Sequence, residues 1–415
     1  MIRFAALALI GAWAPLTLLA AQHPPTAQIS GQGILIYTRV DPIPGGGTLA
    51  EARLVQPIVM LDVAALRRRL LLHASVDFEG WTLADGELAP GVWGEGYVDR
   101  RHPHTYLHEL MLSWGDALGR LDGSARTTLS AGKGFVPFGT DDPMSRPIER
   151  FPVNHHLSQI LERAVAIVGV DAGPVTVEAS LFNGDEPTSP SDWPDLSRFG
   201  DSWAVRLTLR PASGLEGQVS TALVHSPEHE GGAGPDARKW SSSFMADRPI
   251  GSARFYGLVE WARTSEADGA FVFHSALLEA ALTTGRHHPY YRFERTERPE
   301  ETRTANDPFR TVRPPIDDSL LGITRWSIHT VGYGVRLGTA VRRLTLEPFV
   351  EVSFGRIATV GEGFFDPVAV YGSDTFRSVS IGLWLDWGMR GHRMGRYGVP
   401  MDMPGMPMHM SRRAR

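Results

Sequence analysis

The chain has 415 residues, no cysteine, 41 basic against 46 acidic side chains and a formal net charge of −5. Without cysteine it cannot be one of the small secreted scaffolds stapled by disulfides. So modest a charge argues against a nucleic-acid partner, and the fold must come from burying and pairing a long backbone.

Met1 to Ala21 carries one early charge, Arg3, an apolar run from Phe4 to Ala20, and small residues at Ala20 and Ala21 where a peptidase could cut. This pattern predicts a removable secretory signal over residues 1–21. Gln22-His23-Pro24-Pro25 behind it supplies no basic stop-transfer flank. After the signal, no stretch approaches the roughly 18 consecutive apolar residues that a spanning helix requires. A membrane barrel leaves a weaker trace, because its strands place only every second side chain in lipid.

Alternating segments of about ten residues then follow one another. In the stretch from Trp203 to Arg210, Trp203, Val205, Leu207 and Leu209 oppose Arg206, Thr208 and Arg210. From Leu344 to Phe354, Leu344, Leu346, Val350, Val352 and Phe354 oppose Thr345, Glu347, Glu351 and Ser353, and Ser378 to Trp387 repeats the pattern with Trp384 as the exception. A charged face that recurs this regularly has water on its side. Short links such as Asp171-Ala172-Gly173-Pro174 and Pro211-Ala212-Ser213-Gly214 alternate with long polar stretches such as Thr82 to Pro103, Asp185 to Asp201 and Thr296 to Asp318. That alternation is the connectivity of outer-membrane barrels. The segments run from 33–40 through 158–170 and 289–297 to 376–388, and their count is about sixteen, an even number of the kind such barrels use. The expected fold class is therefore all-β, a transmembrane antiparallel barrel over residues 22–388, with short periplasmic turns and long extracellular loops. Trp114, Trp203, Trp261, Trp384 and Trp387 are placed for interfacial girdles.

Gly132 to Gly139, "GKGFVPFG", closes a strand and opens a polar loop, and it resembles the corresponding stretch of bacterial porins of the phosphate-selective O/P type. The resemblance implies a homotrimeric diffusion channel in the outer membrane of a Gram-negative cell, in contact with lipid, passing small hydrophilic solutes or ions and carrying out no enzymatic reaction. On presumed inward faces the sequence offers Arg206, Arg210 and Arg254, but also Glu178, Glu260, Glu347 and Glu351, as pore-lining residues. With Lys133 and Lys239 the only lysines, phosphate selectivity is not implied. Porins of this kind usually finish on an aromatic residue that closes the last strand, whereas here residues follow Trp387.

Two other chemistries compete. His102, His104 and Glu109 have a spacing close to the first metal motif of cupins, which would make a secreted metalloenzyme, but Thr140-Asp141-Asp142 stands where the second motif should supply a histidine. The residues from 389 to 415 form an expected disordered periplasmic tail in which Met401, Met403, Met406, Met408, His409 and Met410 are soft donors. Pro400, Pro404 and Pro407 forbid a helix there. The tail is either an unselected coil or a segment for Cu(I) that makes the barrel a copper-handling protein; no other cofactor is implied.

Overall fold

The computed structural model describes residues 25–82, 104–116, 125–227, 232–302, 320–339, 341, 343–388 and 393–397. Sixteen antiparallel strands close into a barrel. In chain order they are β1 (Thr26–Asp41), β2 (Leu49–Ala65), β3 (Leu70–Asp77), β4 (Leu107–Gly115), β5 (Ala125–Gly134), β6 (Arg163–Ala172), β7 (Val175–Phe182) and β8 (Ser202–Ala212). They continue as β9 (Leu215–Val224), β10 (Ala237–Ile250), β11 (Ala253–Glu266), β12 (Phe271–Thr284), β13 (His287–Glu301), β14 (Leu320–Val335), β15 (Leu344–Val360) and β16 (Thr375–Trp387). A two-residue strand, Leu337–Gly338, adds to the edge of β15. Each strand pairs with its neighbour in sequence, and the ring shuts where β1 pairs with β16 from Gly31 opposite Trp387 to Asp41 opposite Arg377.

The alternation written in the sequence decides what each strand shows to lipid and to the lumen. On β8, Trp203, Val205, Leu207 and Leu209 are between 37% and 46% exposed, whereas Arg206 and Thr208 are buried inside. On β16, Val379 and Ile381 face outward while Ser378 and Ser380 are buried. An outward apolar band on a closed ring is the surface of an outer-membrane protein, since lipid leaves no partner for an open strand edge. Short turns at the periplasmic end, such as residues 173–174 and 213–214, alternate with long loops at the other, such as 183–201 and 361–374.

The expected segments map one to one onto the strands, with three corrections. The first reaches back to Thr26, because pairing with β2 on one side and β16 on the other extends it through Gln28 and Gly31, where side-chain alternation is faint. The segment expected at 158–170 begins at Arg163, since residues 158–162 belong to a loop inside the barrel. Trp384 is not part of a girdle: it points inward, 6% exposed, and stacks on Phe349 with ring centroids 4.4 Å apart. Trp114, Trp203, Trp261 and Trp387 do face outward.

Leu207→Arg places a charge on the lipid face near the middle of β8, and the expected cost is about 2–4 kcal/mol. Thr208→Ser, on the lumen side of the same strand, leaves the fold unchanged. Denaturant midpoints after folding into lipid vesicles check both.

Candidate functional site

Two segments enter the barrel, and both are held by charge. The first is residues 135–162, which leave β5 and turn into the lumen before rejoining the wall at β6. Its entry depends on glycine. Gly139 has φ +72°, and a Cβ there would collide with the Ser158 carbonyl, so this turn accepts no side chain. A short 3-10 turn, Pro143–Ser145, follows, capped by Asp142 Oδ1 accepting the Met144 N–H at 2.7 Å. Val136, Phe138, Met144 and Ile160 then pack on Phe182, Ala204 and Val224 of the wall.

Two arginines fix the loop to the opposite side. The Arg146 guanidinium lies 3.4 Å from Glu260 of β11 and 3.8 Å from Glu279 of β12. Arg150 donates to Glu351 at 2.9 Å, to Thr330 at 2.9 Å and to Ser353 at 3.1 Å, reaching β14 and β15. Arg292 of β13 donates to the Arg150 carbonyl. At the other end Glu162 accepts the Thr105 N–H at 2.8 Å and pairs with His108 at 2.7 Å. Burial opposes ionisation of Glu162, but the hydrogen bond and charge of His108, with His104 and Lys133 behind it, hold its carboxyl at about 2.

The second inserted segment is residues 393–397, which lie in the lumen. Arg393 forks onto Asp141 at 2.5 and 2.8 Å and onto Glu216 at 2.6 and 2.9 Å. Arg396 meets Asp141 at 2.7 Å and Glu216 at 3.1 Å. Burial opposes the charge on Asp141, yet Arg393 and Arg396 hold its carboxyl far below the usual range. Tyr397 donates to Glu109 and accepts the Phe135 N–H at 3.0 Å. Gly134 makes room for it, since a Cβ there would strike the Tyr397 hydroxyl. Arg206 clamps Glu178 through two bonds of 2.7 and 2.8 Å and donates to the Gly395 carbonyl at 3.3 Å.

Of the residues expected to line a pore, Arg206 and Glu178 therefore form one cluster with the second segment, and Arg210 joins it through Glu216 at 2.9 Å. Glu260 and Glu351 receive the loop arginines. Glu347 stands apart, with His288 at 2.5 Å and Arg336 at 2.7 Å. Arg254 shares the inward side of β11 with Glu260 but lies at the exposed rim, paired with Asp247 at 2.5 Å. The sequence reading missed Arg146, Arg150, Asp141, Arg393 and Arg396, because none of them lies on an alternating segment. The only trace they leave is arginine spacing, in Arg146 to Arg150 and Arg393 to Arg396.

The expected periplasmic tail, 389–415, is corrected over residues 393–397, which lie inside the barrel because paired carboxylates draw their arginines in. The candidate soft donors Met401, Met403, Met406, Met408, His409 and Met410 lie outside the described residues, as does His102. The cupin alternative is overturned by the closed transmembrane ring. Moreover, Glu109 pairs with His73 at 2.9 Å and with Tyr397, while His104 faces Asp77 and Glu79.

The depressed Glu162 carboxyl gives a pH signature. Its folded value lies below the ordinary 4.5, so its contribution to stability is complete above pH 4.5 and is lost as pH falls toward about 2. The gap in denaturant midpoint between the wild type and Glu162→Gln should be full at neutral pH and narrow across that window.

No family model matches the sequence, and no curated protein matches it. Among solved structures, the chain is similar to the anion-selective porin from Comamonas acidovorans, with a TM-score of 0.50, 10% identity, and coverage of 87% of this chain and 99% of that one. It is also similar to OprB of Pseudomonas putida, with a TM-score of 0.49, 9% identity and coverage of 90% and 96%. OmpT of Vibrio cholerae lacking loop L8 aligns with a TM-score of 0.47, 10% identity and coverage of 88% and 99%. The fold is thus a porin-type barrel.

Proposed function

We propose that the protein is an outer-membrane channel for passive diffusion of small hydrophilic solutes and ions, narrowed by the two inserted segments. The observation that carries this reading is the loop 135–162, folded into the lumen and bound to the far wall through Arg146 and Arg150. A loop so anchored narrows the lumen and would set the width of any passage through it. The charges around it are mutually compensated: Arg150 with Glu351, Arg146 with Glu260, and Arg393 and Arg396 with Asp141 and Glu216. A lumen lined by paired opposite charges has little net field, so it discriminates weakly between anions and cations. The anion selectivity in the description of the Comamonas porin is accordingly not carried over.

Single-channel recording in planar bilayers tests the reading. The expected outcome is an open channel with a reversal potential near zero in a KCl gradient. A chain ending at Gly388 lacks the second segment and should conduct better than the full chain. Arg150→Ala leaves Glu351 buried without its guanidinium, at a cost of about 3–5 kcal/mol, and should give noisier, wider openings. Membrane-inserted protein that conducts no ions, or recovery as a soluble periplasmic protein, would overturn the proposal.

A further inference from the structure

At the long-loop end of the wall, β3 finishes on Asp77, a helical turn Glu79–Thr82 follows, and His104 returns just ahead of β4. Asp77 is 0%, Glu79 2% and His104 8% exposed. His104 Nδ1 lies 3.4 Å from Asp77 Oδ2 and 3.2 Å from Glu79 Oε2. These two contacts are ion pairs, but neither meets hydrogen-bond geometry, and the three atoms have no other hydrogen-bond partner among the described residues. All three donor atoms lie within 4.8 Å of one another. A buried polar atom left in this way costs free energy unless something else satisfies it.

The remaining oxygens show how the arrangement is held. Asp77 Oδ1 accepts the Glu79 N–H at 2.7 Å, and Glu79 Oε1 accepts the Gln56 N–H at 2.8 Å. Each carboxylate is thus oriented by one oxygen and presents the other toward His104, which faces both. Outer hydrogen bonds that aim a ligand in this way are characteristic of metal centres. The spacing agrees: bonds of about 2.0–2.2 Å to a tetrahedral ion separate its ligand atoms by about 3.3–3.6 Å, close to the 3.2 and 3.4 Å found.

We propose that Asp77, Glu79 and His104 bind one divalent first-row transition ion of the Zn²⁺ type, which clips both ends of the segment between β3 and β4 to the barrel wall. Two carboxylates and an imidazole suit such an ion better than Ca²⁺ or Mg²⁺, which require six or more oxygens, several of them from water for Mg²⁺. A further donor close by is His108, whose ring lies 4.9 Å from that of His104 and whose Nε2 has no hydrogen-bond partner among the described residues. The site is independent of the soft donors in residues 401–410, and it does not use Glu109.

The test is made on the full chain folded in detergent, stripped with chelator and titrated with Zn²⁺, with metal content and calorimetry as readouts. One equivalent per chain is expected, and Co²⁺ in its place should give the intense visible absorption of a tetrahedral centre. Glu79→Gln and His104→Ala should each weaken binding at least about tenfold, the lower limit for disturbing even an outer partner of a metal ligand. His225→Ala, at an exposed pair with Asp236, should leave it unchanged. Heat-modifiable migration reports whether each variant is folded, and the wild type carries its own test, since Zn²⁺ should raise its unfolding temperature and chelator should reverse the rise. Equal affinity in wild type, Glu79→Gln and His104→Ala overturns the site, as does a folded wild type that takes up no stoichiometric Zn²⁺. Conductance measured on the same preparation stands or falls separately.

Discussion

The ring of backbone hydrogen bonds is the constraint on which everything else depends. Hydrocarbon offers no partner to an N–H or a carbonyl, so a chain that crosses it as strands must leave no edge. Here β1 satisfies both sides of itself, with β2 from Thr26 opposite Ala64 and with β16 from Gly31 opposite Trp387. Once the ring is closed, the parity of each residue assigns it to lipid or lumen. The outward row Trp203, Val205, Leu207 and Leu209 and the inward row Arg206 and Thr208 are two aspects of one register.

What fills the inside follows from that division. A guanidinium or carboxylate withdrawn from water is tolerated only with a partner, and the wall's Glu178, Glu216, Glu260 and Glu351 find theirs in Arg206, Arg393, Arg146 and Arg150. Three of those four arginines come from the inserted segments rather than from strands. The same insertions account for inward side chains that simple alternation would make polar. Ile58, Met60, Phe182 and Val224 face the lumen yet remain dry, because Val136, Phe138, Met144 and Met394 cover them.

Legibility in the sequence tracks periodicity. Strand number, orientation and the outward faces could be read because each strand repeats a two-residue rule, and the inward placement of Arg206, Glu178, Glu260 and Glu351 came with it. The 135–162 loop and residues 393–397 obey no such rule; their positions are set by partners far away in the chain, such as Asp141 for Arg396. The pairing of Asp77 and Glu79 with His104 was hidden for a related reason. The two-apart spacing of His102 and His104 points to a partner next to it in sequence, whereas the neighbours of His104 are acids across a loop. The signal present was Asp77-Phe78-Glu79 at a strand end, which puts two carboxylates close together only if the chain turns there.

Residues 393–397 also bear on the time course of assembly. Tyr397 bonds the Phe135 backbone and Glu109 across sequence separations of 262 and 288 residues, and the seam between β1 and β16 joins residues almost as far apart as the described chain allows. Contacts this distant in sequence form slowly, after local hairpins have formed. Hairpins joined by short turns, such as β6–β7, β8–β9, β10–β11 and β12–β13, can organise early, whereas the seam and the returning segment must come last. The barrel therefore acquires its wall before its interior, and the lumen takes its final width only when residues 393–397 arrive.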